Sequence, residues 1–334
     1  MAKMFRYLLM AIAAAAIALS GFQVEAQSVA RIELLPIPTI TLKTAQILTG
    51  DMNGTPATIA GELRIPNLGP DLLPAVILIH GSGGVYTDID DWAKTINSLG
   101  IAVFILDTFT GRGIVNTIRD QSQLDSLAII VDAYRGLGLL ARHQRIDGQR
   151  IAVMGLSKGG VAALYSSNER FRNLYDPVKV KFAAHIGLYT PCNMRYRDDE
   201  KVTGAPIRLF QGIDDDSVSI APCRDYIERL KRAGANATLT EYPSAYHAYD
   251  WAALSAPGML QQVQTTLMQA QTTRNCTMRE GDNGQVLNVE TGAIYTLADS
   301  CVERGAHVGY NQAAHDATVK AVREFLTTTF KLSS

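Results

Sequence analysis

Cysteines are few in this chain, no basic block stands out, and the apolar runs are short. Each shortage excludes something. Only four cysteines are present and none stands in C-x-x-C spacing, which argues against a thiolate metal centre. The 31 Lys and Arg are balanced by 32 Asp and Glu without a basic block, so nothing marks a nucleic-acid footprint. No internal repeat is found, which excludes solenoids and propellers. What is there is a chain of 334 residues, 47% of them hydrophobic, enough for one large core serving a small-molecule partner.

The N-terminus reads as an export signal. Lys3 and Arg6 give a positive start, the apolar run Tyr7–Leu19 follows, and Val24 and Ala26 are short residues suited to cleavage after Ala26. The run falls short of the roughly 20 apolar residues of a spanning helix. Phe22 stands where a lipidated cysteine would follow Leu19-Ser20-Gly21, so no lipid anchor is expected. Residues 1–26 are therefore expected to be removed and residues 27–334 to form one domain, periplasmic or secreted, meeting a membrane only during export. An even number of cysteines suits disulfides in such a compartment.

Pro74–His80, Ile101–Leu106 and Arg150–Gly155 are apolar runs of the kind strands buried on both faces show. Ala57–Arg64, Val180–Leu188, Pro206–Phe210 and Ala237–Tyr242 read as further strands. Helical spacing marks Asp91–Leu99, a long stretch from Leu127, Lys158–Ser167, Ala221–Ala233 and Ala314–Thr328. Strands alternating with helices predict an α/β fold, a mostly parallel sheet with helices on both faces. Ligands of such sheets sit beyond the carboxyl ends of the strands.

Residues 251–310 break this rhythm, as a lid or a stapled edge. Gln285–Val289 and Ala293–Leu297 flank a Glu-Thr-Gly turn and predict a β-hairpin. Cys276 and Cys301 lie at similar distances on either side and are expected to pair, stapling a segment with little core of its own. Cys192 follows the strand ending at Leu188, and Cys223 opens the helix after residue 220. Both fall at the carboxyl-end face and form the other expected pair.

Gly155-Leu156-Ser157-Lys158-Gly159 matches G-x-S-x-G between a buried strand and a helix, the context of a nucleophile elbow. A serine hydroxyl needs a base. Of six histidines, His80 ends a strand, His143 a helix, and His185 sits inside an apolar strand. His307 and His315 lie late in the chain. His247 follows a late strand in Ser244-Ala-Tyr-His-Ala-Tyr-Asp250 and is the expected base. The acid should fall between Ser157 and His247 in the chain. Gly212-Ile-Asp-Asp-Asp-Ser-Val218 offers three; the spacing favours Asp215, with Asp214 and Asp216 open. The backbone N–H of Lys158 and that of Ser82 or Gly83 are the expected oxyanion donors. The His80–Gly84 loop lacks the Lys-Ser/Thr ending of a P-loop.

These segments, HGSGG after its strand, GLSKGG, GIDDDSV and AYHAYD, resemble the dienelactone hydrolase family of the α/β-hydrolase superfamily, from about residue 57 to 250 plus the last helix. The resemblance implies the α/β-hydrolase fold and triad roles for Ser157, Asp215 and His247. Dienelactone hydrolases proper carry a cysteine at the nucleophile and a glutamate in the loop after the strand; here stand Ser157 and the acid-free His80–Gly84. The resemblance therefore implies hydrolysis of carboxylic esters through an acyl-enzyme, with no metal or organic cofactor. A base must be unprotonated to act, so activity is expected to fall in acid. A peptidase of the prolyl-oligopeptidase type would need a specificity domain that does not fit before residue 57. A silent binding module would be expected to have lost triad members. Tyr86, Tyr189, Tyr246, Tyr249 and Trp251 are candidates to line the pocket.

Overall fold

The apolar runs become strands covered on both faces. A computed structural model describes residues 29–67, 70–255 and 265–332. The expected export signal, residues 1–26, lies outside the described residues, as do residues 256–264 of the excursion.

The chain opens with β1 (Val29–Thr41), α1 (Thr44–Thr49), β2 (Thr55–Pro66), β3 (Leu73–Ile79), α2 (Thr87–Asn97) and β4 (Ala102–Asp107). Then come α3 (Ala128–Leu140), β5 (Ile146–Leu156), α4 (Lys158–Tyr165), α5 (Glu169–Tyr175), β6 (His185–Leu188) and β7 (Met194–Arg195). They are followed by β8 (Ile207–Gly212), α6 (Ala221–Arg232), β9 (Ala237–Tyr242), β10 (Thr265–Thr272) and β11 (Met278–Glu280). The last elements are β12 (Val286–Asn288), β13 (Glu303–Val308) and α7 (Gln312–Phe330).

Eight strands form the main sheet in the order β1-β2-β4-β3-β5-β6-β8-β9. β1 and β2 are antiparallel to their neighbours, and the pairs from β4 to β9 are parallel. Alternate residues of the central strands feed two cores. Ile77, Phe104 and Val153 pack on one side with Leu137 of α3 and Ala162 of α4. Leu78, Val103 and Met154 pack on the other with Ile96 of α2 and Leu326 of α7. This is the α/β-hydrolase architecture, and its parallel strands end together at one rim.

Two expectations change. The strand read as Val180–Leu188 is only His185–Leu188. Val180 is half-buried and Lys181 exposed, so the first half of the run is not sheet interior. In the excursion the expected turn closes, with Asn288 N–H donating to Ala293 O at 2.9 Å and Tyr295 N–H to Val286 O at 2.8 Å. Residues 293–297 form no strand, however, and Ile294 is 57% exposed. The ladder partner of β12 is β11, which in turn pairs parallel with β7. β10 and β13 form a separate two-stranded ribbon. Among the described residues no helix is long and apolar enough to cross a membrane.

Candidate active site

Ser157 sits where β5 ends and α4 begins, at φ 51° and ψ −113°. A side-chain-bearing residue tolerates such a backbone only when its surroundings impose it. Here two glycines make the turn possible. A Cβ on Gly155 would lie 2.1 Å from Gly159 O, and one on Gly159 would lie 2.5 Å from both His80 O and Ile79 O. Ser157 N–H donates to Leu188 O at 2.9 Å, which anchors the turn to β6.

β8 and β9 deliver the two other groups. His247 Nε2 lies 3.0 Å from Ser157 Oγ, and its Nδ1 lies 2.8 Å from Asp215 Oδ2. An imidazole so held can take the serine proton at one nitrogen while the carboxylate fixes the proton on the other. Asp215 is buried and fully engaged. Its Oδ1 accepts from Ser217 N–H at 2.9 Å and Val218 N–H at 2.8 Å, and its Oδ2 also accepts from Gln211 Nε2 at 3.1 Å. The three neighbouring acids separate cleanly. Asp214 is exposed, and Asp216 faces away to His307, 2.5 Å from its Nδ1.

The His80–Gly84 loop lies against the nucleophile: a Cβ on Gly81 would stand 3.3 Å from Ser157 Cβ. His80 is a strut of this loop. Its Nε2 accepts from Thr108 N–H at 3.2 Å, which leaves the proton on Nδ1 to donate to Gly81 O at 2.8 Å. Burial holds its pKa below the ordinary histidine value, in keeping with a neutral ring. Lys158 is the first residue of α4, so its N–H has no intrahelical partner by position. Its side chain turns inward, donating from Nζ to Gln121 Oε1 at 2.9 Å and Gln121 O at 3.3 Å. Gln121 Nε2 donates to Ser82 Oγ at 3.1 Å. Gln121 thus links the two segments expected to supply oxyanion donors.

The aromatic candidates divide. Tyr189 and Tyr249 are buried, and the Tyr189 ring meets the His247 ring edge-on at 4.7 Å. Tyr246 packs beside His307. Tyr86 is 48% exposed and stacks on Trp251 at 5.9 Å. A Cβ on Gly83 would touch the Tyr86 ring, so this pair borders the site from the oxyanion loop to the histidine loop.

Both cysteine pairs are bonded, Cys192 to Cys223 and Cys276 to Cys301. Sequence reasoning missed Gln121, Gln211 and His307. No spacing marks Gln121, whose role arises from a loop crossing beneath Lys158. Gln211, at the end of β8 four residues before Asp215, carried a positional signal.

A model of the dienelactone hydrolase family matches residues 61–258, more than half of the chain. The chain belongs to this family. It is thus a member of a hydrolase family, and solved structures share its fold at low identity. A dienelactone hydrolase-like promiscuous phosphotriesterase, P91, from metagenomic libraries, is 13% identical over 89% of this chain and 98% of its own, with a TM-score of 0.56. A structure named m3DLH is 17% identical over 91% of this chain and 99% of its own, with a TM-score of 0.57. No curated protein matches the chain.

Proposed function

We propose that this dienelactone hydrolase family member is an exported serine esterase that cleaves carboxylic esters through Ser157, His247 and Asp215. The observation that carries the reading is the pair of contacts on one imidazole, 3.0 Å to Ser157 Oγ and 2.8 Å to Asp215 Oδ2. Ser157 Oγ attacks the ester carbonyl while His247 Nε2 takes its proton. Asp215 holds the tautomer and stabilises the imidazolium. The N–H groups of Lys158 and of Ser82 or Gly83 receive the oxyanion. His247 then protonates the departing alkoxide, and water attacks the acyl-enzyme by the same route in reverse.

The Tyr86–Trp251 stack, exposed at Tyr86 and half-buried at Trp251, favours esters with an apolar group on that side. The two disulfides are compatible with a periplasmic or secreted location. Labelling with a fluorophosphonate tests the mechanism. Wild type should be labelled and should hydrolyse p-nitrophenyl esters, and Ser157→Ala should do neither. Labelling that persists in Ser157→Ala would remove Ser157 from the role. A panel of acetyl, hexanoyl and benzoyl esters locates the apolar preference, which Tyr86→Ala should erase through KM.

A further inference from the structure

The turn that carries the acid is bonded on both sides. Its inward N–H groups, at Ser217 and Val218, go to Asp215 Oδ1. Its outward carbonyls go to the late excursion: Thr272 Oγ1 donates to Ser217 O at 2.7 Å, and Arg274 Nη1 donates to Asp216 O. His307 takes both oxygens of Asp216, its backbone N–H donating to Oδ1 at 2.7 Å and its Nδ1 to Oδ2 at 2.5 Å. Arg274, two residues past β10, also pairs with Glu303 of β13.

The same segment then grips the histidine loop. Gly309 N–H donates to His247 O at 3.2 Å and Asn311 N–H to Tyr249 O at 2.9 Å. Asn311 Nδ2 donates to Ser244 O at 2.9 Å. One stretch of five residues, His307 to Asn311, therefore touches the loops of both acid and base.

We infer that residues 272–311 are a brace that positions the Asp215–His247 pair, with Asp216–His307 as its main joint. Asp216 is bonded in sequence to Asp215, so fixing its carboxylate fixes the backbone from which the acid projects. The joint is about one-third exposed on each side, 33% at Asp216 and 35% at His307. A pair that exposed adds little stability. Its effect lies in geometry, where a misplacement of about 1 Å costs up to about 100-fold in rate. Asp216 and His307 are positioning residues and touch no reacting atom.

This inference rests on the triad reading, and the test keeps the two apart. In the mature chain, His307→Ala should lower kcat for p-nitrophenyl acetate about 10- to 100-fold, with KM within about twofold. Fluorophosphonate labelling of Ser157 should slow in parallel. His307→Asn, whose Nδ2 can replace the ring Nδ1 as donor, should recover most of the rate. The downfield proton signal of His247 Nδ1–H reports the bond to Asp215 without substrate, and should broaden or move upfield in His307→Ala. A folded His307→Ala with wild-type kcat and an unchanged signal overturns the brace, as does a raised KM at wild-type kcat. If His307→Ala does not fold, Thr272→Val, which removes one contact to Ser217 O, is read in the same way. A wild type that resists labelling while the His247 signal responds to His307→Ala would sink the triad reading and support the brace.

Discussion

Three consecutive aspartates stand in one turn, and their surroundings give them different work. Asp215 is buried with every oxygen engaged, Asp216 is clasped by His307, and Asp214 is exposed. Asp215→Asn should therefore lower kcat roughly 10⁴-fold, because an amide no longer holds the imidazole tautomer. Asp214→Asn should leave kcat within about twofold, as surface changes usually do. Steady-state rates on one ester separate them, and equal losses would show that the acid is misassigned. Lys158 gives a second residue-scale prediction. Burial pulls its pKa from 10.5 down to about 8, and Asp125 and Asp120 offset only part of this. Above pH 8 the folded chain gives up that proton, while the unfolded chain keeps it until about pH 10.5. Between these values the unfolded state binds more protons, so stability rises with pH, by up to about 3 kcal/mol from this group. Urea unfolding at pH 7.5 and pH 10 should show the rise in wild type and a smaller one in Lys158→Met. An identical pH response in both would place the titration elsewhere.

At the scale of elements, a buried ion pair adds side-chain ties between the antiparallel edge strand β1 and the parallel body, with Arg112 Nε donating to Thr41 Oγ1 at 2.7 Å. Arg112 makes two parallel bonds to Asp132 of α3, at 2.8 and 2.9 Å, and Thr39 of β1 donates to the same carboxylate at 2.6 Å. Removing Arg112 strands a buried charge, so Arg112→Ala should cost about 3–5 kcal/mol. Arg112 does not contact the triad, so kcat per folded molecule should stay near wild type. Chemical denaturation with active-site titration checks both, and a loss below about 1 kcal/mol would mean the pair is replaceable. Neither Arg112 nor Asp132 announced itself in the sequence, because their meeting depends on a loop folding back onto β1. The same distinction explains what was legible. β3, β4 and β5 could be read because burial on both faces makes the whole segment apolar. The elbow could be read because its glycines have steric reasons visible in a motif. The expected hairpin of Gln285–Val289 and Ala293–Leu297 closes at its turn and makes one antiparallel bridge, Leu287 to Ile294, but Ile294 faces solvent and the ladder partner of β12 is the short Met278–Glu280. That partner has no strand signal of its own and is set by long-range pairing with Met194–Arg195. The sequence leaves His307 unmarked for a related reason, since its partner lies 91 residues away.

At the scale of the whole molecule, the two disulfides join parts that the sheet alone leaves apart. Cys192–Cys223 ties the loop after β6 to the start of α6, beside the acid turn, and Cys276–Cys301 closes the small sheet of the excursion. All four cysteines are bonded, with none free. The closed loops span 31 and 25 residues, which corresponds to about 3.5 kcal/mol each from the lost freedom of the unfolded chain. Two such terms together rival the roughly 5–15 kcal/mol by which domains are usually stable. A chain built this way should depend on an oxidising compartment, in line with the proposed export. The protein made in a reducing cytosol should be poorly soluble or melt well below the same chain made with its disulfides formed. The two bonds should also differ in what they protect. Cys276→Ser with Cys301→Ser should loosen the excursion and lower the melting temperature. Cys192→Ser with Cys223→Ser should in addition lower kcat, because that bond stands next to the turn carrying Asp215. Thermal melts with and without reductant, beside thiol counts, would decide it. Equal melting temperatures with four titratable thiols in the reduced sample would show that the fold holds without either bond and that export is not needed for it.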